Sequence, residues 1–217
     1  MNKQRIKIAI DSPAGAGAGT QSKLISKHYN LFYLDTGKIY RVLAYYKIKN
    51  PKGFNLSNIK KKIKLLKLSD LNNKKLLTNE IGIEASVISK NKKIRKLVDT
   101  IQKKYAYNPP KKYNGSCLDG RDITYKILPD ADFKFFMTAN IKTRAKRRYK
   151  ELKILNKKIQ YSEVLKSIKK RDQSDYKRKV SPLKKTKDSI LINTTNLSIN
   201  KCFSLIKKII DRELKKY

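Results

Sequence analysis

The stretch IAIDSPAGAGAGTQSKLI, from Ile8 to Ile25, constrains this chain more than any other part of it. Residues 5–11 (RIKIAID) read as a buried strand ending in Asp11, residues 12–19 as a tight turn of Gly and Ala, and residues 20–29 as a helix. A strand that hands such a turn to a helix N-terminus makes an anion site. Unpaired backbone N–H groups converge there, and the helix dipole favours negative charge. Gly15, Gly17 and Gly19 permit close approach, Ala14, Ala16 and Ala18 add little bulk, and Thr20 offers a hydroxyl suited to Mg²⁺ or phosphate. The phosphate-loop motif carries a Lys directly after its last obligatory Gly; this chain has Ala18.

The pattern that follows extends an α/β plan. LFYLDTG (31–37) reads as a second strand and KIYRVLAYYKI (38–48) as an amphipathic helix, which indicates a parallel sheet. Residues 49–79 are less regular, with helical spacing in LSNIKKKIKLLKL. Residues 80–106 read as two helical pieces, and Pro109–Pro110 breaks them from a strand in SCLDGRD (116–122). DFKFFMTA (132–139) reads as a strand, NIKTRAKRRYKELKIL as a basic helix capped by Asn140, and YSEVLKSIKKRD as another helix. Residues 173–188 are polar, basic and broken by Pro, so they read as a mobile loop. SILINTT (189–195) and the final segment, NLSINKCFSLIKKIIDRELKKY, give a last strand and helix.

With 217 residues and 39% hydrophobic content, one domain with a sizeable core is expected. The apolar runs are too short and too often interrupted by Lys to span a membrane, and the N-terminus enters a strand at once, leaving no room for a signal peptide. Cys117 and Cys202 read as free buried thiols, and His28 as a helix-surface residue. The net charge of +37 raises the possibility of nucleic-acid or anionic-membrane binding. Against this, Lys is scattered along every segment, as in a drifted, Lys-, Asn- and Ile-rich composition, and no recognised RNA-binding motif is present.

Three further clusters repeat the anion-binding theme. LDTGKIYR again joins a strand end, a Gly turn and a helix start, with Arg41 one turn in. LDGRDI (118–123) offers Asp119 to a metal or its waters, Arg121 as a bidentate phosphate clamp and Asp122 as a hydrogen-bond acceptor. Arg171, Asp175 and Arg178 are placed in the expected mobile loop, where closure would deliver charge to a transferring phosphoryl group.

In order, IAIDSPAGAGAGT, YLDTGKIYR, EIGIEAS with IRKLV, LDGRDITYKILPDADFKFFMTA, TRAKRRYKEL and KKRDQSDYKRKVSPLKKTKDSILINTT resemble the bacterial cytidylate kinase (CMP kinase) family over nearly the whole chain. The resemblance implies a three-layer P-loop kinase core with a central parallel sheet, formed by about 1–40, 96–168 and 187–217. A monophosphate-binding subdomain would span about 41–95 and a lid about 169–186. It implies phosphoryl transfer from ATP to CMP or dCMP with Mg²⁺, in a cytoplasmic monomer with no membrane or specific nucleic-acid partner. ATP would lie on Ser12, Pro13, Ala14, Gly15, Ala16, Gly17, Ala18, Gly19 and Thr20, near Arg147 and Arg148. Thr36, Arg41 and Arg121 would hold the CMP phosphate; Ser86, Arg95 and Asp122 would read cytosine; Asp175 and Arg171 would approach the ribose; Arg178 would reach the phosphoryl groups. Thr20 would serve the metal, with Asp35 or Asp119 through water.

The departures centre on charge. Ser12 stands where the family has Gly, Ala18 where it has Lys, and Thr124 where Gly is usual; Lys38 is an unusual addition after Gly37; and segment 50–79 is short. Three readings follow: an active kinase with a relocated cation, a nucleotide-binding variant without transfer, or a basic nucleic-acid-binding protein on a borrowed fold. For the first, Lys38 is the favoured replacement, with Lys177 and Lys179 as others, and Lys23 is expected to point away. The catalytic set is then Arg171, Arg178, Arg121 and Lys38.

Overall fold

The computed structural model describes residues 5–215. Expectations for residues 1–4 and for the last two residues of the terminal helix lie outside them. Five strands, β1 (Ile6–Asp11), β2 (Phe32–Asp35), β3 (Gly115–Gly120), β4 (Phe133–Thr138) and β5 (Ile190–Asn193), form one sheet in the order β2-β3-β1-β4-β5. Every pairing is parallel. The eight α-helices among the described residues are α1 (Ala18–Tyr29), α2 (Thr36–Lys49), α3 (Leu56–Lys64), α4 (Asn79–Ile88), α5 (Lys92–Tyr107), α6 (Ile141–Leu155), α7 (Tyr161–Lys177) and α8 (Ile199–Leu214).

Strand residues alternate between two cores, which makes the three layers. Ile8, Ile10, Cys117, Phe135 and Met137 face α1 and α8, packing with Ile25, Ile206 and Ile210. Ala9, Leu34 and Leu118 face the other way, against Leu43 of α2, Ile59 of α3, Ile88 of α4 and Val98 of α5. A smaller cluster, Ala145, Leu152, Val164 and Ile168, joins α6 to α7. Both cysteines are free and buried, and His28 is exposed beside Phe203, as expected.

The irregular 50–79 segment is α3 followed by two short 3₁₀ turns, Leu68–Asn72 and Lys74–Leu77, with no strand. The Asn140 side chain accepts from the Thr143 amide, so α6 starts where its cap predicts. The expected mobile loop at 173–188 is corrected. Residues 173–177 continue α7, and Arg178 caps it. The stretch beyond is tied down by Leu183, which is buried and whose amide donates to Asp175 O at 2.8 Å, and by Tyr125 Oη, which donates to Pro182 O at 2.5 Å. Among the described residues, no helix is long and apolar enough to cross a membrane.

Candidate functional site: two cavities at the C-terminal edge of the sheet

All the predicted clusters meet where the parallel strands end, the edge at which open α/β sheets bind ligands. Asp11, Asp35 and Asp119 stand at or next to the C-terminal ends of β1, β2 and β3, with Asp35 level with Asp119 in the register. The turn after β1 reaches α1 through Gly17 at φ 92°, a left-handed conformation that β-carbons resist. The first α1 hydrogen bond runs from the Gln21 amide to Gly17 O. The amides of Ala18, Gly19 and Thr20 therefore lie ahead of the helical ladder. Gly15 is also left-handed (φ 77°), and a β-carbon there would come within 2.8 Å of Arg144 O.

Two residues that the sequence did not single out, Arg144 and Thr194, hold this turn in place. Buried Arg144 donates to Ala14 O (3.1 Å) and Ala139 O (2.8 Å), and its guanidinium pairs with Asp172 at 2.5 Å. Thr194 Oγ1 donates to Ala16 O, and Arg147 donates to Thr194 through both its hydroxyl and its carbonyl. Arg147 thus reaches the loop through Thr194 from the β5 side. Arg148 faces the main cavity but is engaged by Glu151 and Leu77 O. The TRAKRR run signalled basic residues near the loop but not this division of labour.

The cavity on the phosphate turn, about 410 Å³ and the main cavity of this site, is lined by the whole turn from Ser12 to Thr20 together with Asp35, Lys38, Arg41, Asp119, Arg121, Arg148 and Arg171. Lys23 lines it too, which corrects the expectation that this side chain points away. Side chains on a helix tilt toward its N-terminus, so a residue in the second turn is carried back toward the mouth. Ala18 is 5% exposed and packs with Ile8, Ile10 and Ile25. The carboxyl of Asp119 is pushed well above the usual range by burial and by the neighbouring Asp35 charge. Tyr33 Oη donates to it at 3.3 Å.

A second, smaller pocket of about 70 Å³ contains Thr36, Arg41, Ser86, Arg95, Arg121, Asp122, Arg171, Asp175 and Arg178. It gathers every residue expected to bind the acceptor. Arg95 pairs with Asp122 at 2.8 Å, both side chains being nearly fully buried. The other carboxylate oxygen, Asp122 Oδ2, is buried and has no hydrogen-bond partner among the described residues, as is the case for Arg95 Nε and Arg178 Nη2. Several expected ligand contacts are made internally instead. Arg121 Nε donates to Asp175 at 2.7 Å, Ser86 Oγ donates to Ser174 Oγ at 3.2 Å, and Arg41 Nη1 donates to Leu76 O at 2.6 Å. Thr36 Oγ1 donates to Asp119 O at 2.7 Å, so this hydroxyl is spent on the backbone.

Burial and neighbouring charge together shift the titrating groups of this pocket. Burial lowers the Arg41 guanidinium to about 9, aided by Arg171 and Arg148, and lowers Arg171 to about 10, aided by Arg121. Burial acts to raise the Asp175 carboxyl, but Arg121 and Arg171 outweigh it and hold Asp175 below the usual range. The turn that carries Arg121 and Asp122 is fixed from beneath by Asp11. Its carboxylate accepts from the Ile123 amide (2.8 Å), the Thr124 amide (2.9 Å) and the Thr124 hydroxyl (2.6 Å). Thr124 was visible in the sequence only as a departure; its hydroxyl adds the third bond.

A model of the cytidylate kinase family matches residues 8–212. The chain belongs to the cytidylate kinase family. Curated cytidylate kinases similar to it include those of Thermosipho melanesiensis (41% identity, 96% of this chain and 98% of that one), Clostridium tetani (40%, 95% and 94%) and Mesomycoplasma hyopneumoniae (37%, 97% and 96%). Among solved structures, an uncharacterized protein from Eubacterium ventriosum has a TM-score of 0.55 at 18% identity, covering 95% of this chain and 99% of that one. A Thermus thermophilus protein has 0.51 at 15%, covering 98% and 99%. These two share the fold. The family and the site together make this chain a kinase.

Proposed function

We propose that this chain transfers the γ-phosphoryl group of ATP to CMP or dCMP, giving ADP and CDP or dCDP. The observation that carries the reading is the buried, unpartnered Asp122 Oδ2 beside Arg95 in the acceptor pocket. A carboxylate with one oxygen occupied by an arginine and one free accepts the amino group of cytosine. Uracil presents a carbonyl at that position and leaves the oxygen unpaired.

The ATP phosphates lie on the turn from Ser12 to Thr20, where backbone amides converge. Arg147 steadies that turn and Arg148 borders it. Thr36 through its backbone amide at the start of α2, Arg41 and Arg121 serve the CMP phosphate, Ser86, Arg95 and Asp122 the base, and Asp175 with Arg171 the ribose. An oxygen of the CMP phosphate attacks the γ-phosphorus, and the bond from that phosphorus to the β–γ bridging oxygen breaks, its electron pair leaving with ADP. The nucleophile is already an anion, so in-line positioning and charge are the work of the protein. Arg121, Arg171, Arg178 and Lys38 supply the charge. Oxygen donors suit Mg²⁺, which keeps several waters and uses few protein ligands; Thr20, Asp35 and Asp119 line one cavity and provide that set. When bound, Mg²⁺ neutralises the charge that develops on the phosphates.

A pocket of about 70 Å³ requires α4 to part from α7 before a nucleotide enters, breaking the Ser86–Ser174 contact. We assign residues 41–95 to the moving acceptor side and 169–186 to the lid, in a cytoplasmic monomer. A coupled ADP-release assay with CMP, dCMP and UMP tests the reading: CMP-dependent turnover is expected, and turnover with UMP alone refutes it.

A further inference from the structure

Phosphate-loop kinases set a lysine against the β- and γ-phosphates. Here position 18 brings only a methyl group, and that group is packed into the apolar core. We propose that Lys23 of α1 and Lys38 of α2 bracket the phosphate turn and together carry the positive charge that residue 18 lacks. The inference rests on the phosphoryl-transfer reading and deepens it.

Both lysines line the main cavity, and neither lines the acceptor pocket. Their walls are neighbours. A β-carbon on Gly19 would sit 3.4 Å from Asp119 Oδ2 and 3.4 Å from Tyr33 Oη, so that side of α1 faces the ends of β2 and β3. Lys23 follows Gly19 by four residues, which stacks it over the same side. The separation along the axis is about 6 Å, within reach of a four-carbon stem and its nitrogen. Gly19 has no side chain to block the way. Lys38 starts from the opposite wall, in a first helical turn fixed by Asp35, which accepts from the Lys38 amide at 3.3 Å. It lies three residues before Arg41 and so shares its side of α2.

The two ammonium groups are also unspent. Among the described residues neither makes an ion pair, whereas Arg121 is paired with Asp175 and Arg148 with Glu151, and Arg41 is bonded to Leu76 O. Arg171 borders both cavities and so serves the junction between donor and acceptor. A flexible, compact ammonium suits contact with whichever phosphate oxygen gains charge.

The test uses the full chain with Lys23→Ala, Lys38→Ala, the double variant and the double Lys→Arg variant; Lys27→Ala, exposed on α1 and outside the cavity, is the control. Each single change is expected to lower kcat about tenfold and the double change about 10²–10³-fold, the range for loss of a preorganised charge. CMP affinity and melting temperature stay at parent values, and the double Arg variant keeps most activity. A double Ala variant within twofold of parent kcat overturns the proposal, as does a kcat loss matched by an equal loss of CMP binding. A parent that does not turn over CMP overturns the functional reading instead. ATP titration then tests the lysines: the double Ala variant should bind at least tenfold more weakly, and equal affinity overturns the inference.

Discussion

Replacing Asp122 by Asn tests the acceptor pocket at its most exacting point. Asp122→Asn keeps the shape, removes the charge and turns one oxygen into a donor. Arg95 is 2% exposed and Asp122 3%, and the pair meets at 2.8 Å. Removing one partner of a buried ion pair costs about 3–5 kcal/mol. The amide oxygen still accepts from Arg95, and Arg95 keeps its 3.0 Å bond to Ser89 O, so the low end, about 3 kcal/mol, applies. At about 2–4 °C per kcal/mol for a chain of this size, melting falls by roughly 6–12 °C. Losing a charged hydrogen bond to the cytosine amino group costs about 1.5–3 kcal/mol, a fall of roughly 10–150-fold in kcat/KM for CMP. The new amide N–H₂ suits the uracil carbonyl, so the CMP-to-UMP ratio should fall further than the CMP rate alone. Coupled ADP release with each nucleotide, alongside a thermal melt, reads both effects. A melt lowered as expected with the CMP-to-UMP ratio unchanged would refute the role of Asp122 in reading the base.

Other sites give independent checks. Arg144→Ala removes the anchor of Ala14 O and strands Asp172, so melting should fall by the equivalent of about 3–5 kcal/mol and the KM for ATP should rise; an unchanged ATP KM contradicts the anchoring role. Burial raises the Asp11 carboxyl to about 6 from its ordinary 3.8, so its stabilising contribution is full below 3.8 and is lost as pH rises through about 6. Parent minus Asp11→Asn melting temperature should therefore shift in the parent's favour between pH 7 and pH 4, and a flat difference contradicts the burial argument. Chelation of Mg²⁺ should stop turnover while CMP binding by calorimetry persists; full activity in excess chelator contradicts the metal assignment.

The sheet was legible because each strand is a short apolar run, and β1, β2 and β3 are stopped by Asp or Gly; the acceptor pocket was legible in part because Thr36, Arg121 and Asp122 follow those stops. The end of α7 was hidden: QSDYK has no apolar periodicity, and Asp175 is buried against Arg121 rather than against hydrocarbon. Lys23 was misjudged because a position on a helix fixes a face, while the tilt of the side chain toward the N-terminus decides where its nitrogen arrives. The grip of Arg144 on Ala14 joins residues 130 apart, and no local pattern announces it.

The most direct measurement is ADP release by the unmodified chain with ATP, Mg²⁺ and saturating CMP, dCMP or UMP. The account predicts turnover with CMP and dCMP far above that with UMP, despite Ala18. No turnover above background with either cytidine nucleotide would contradict it.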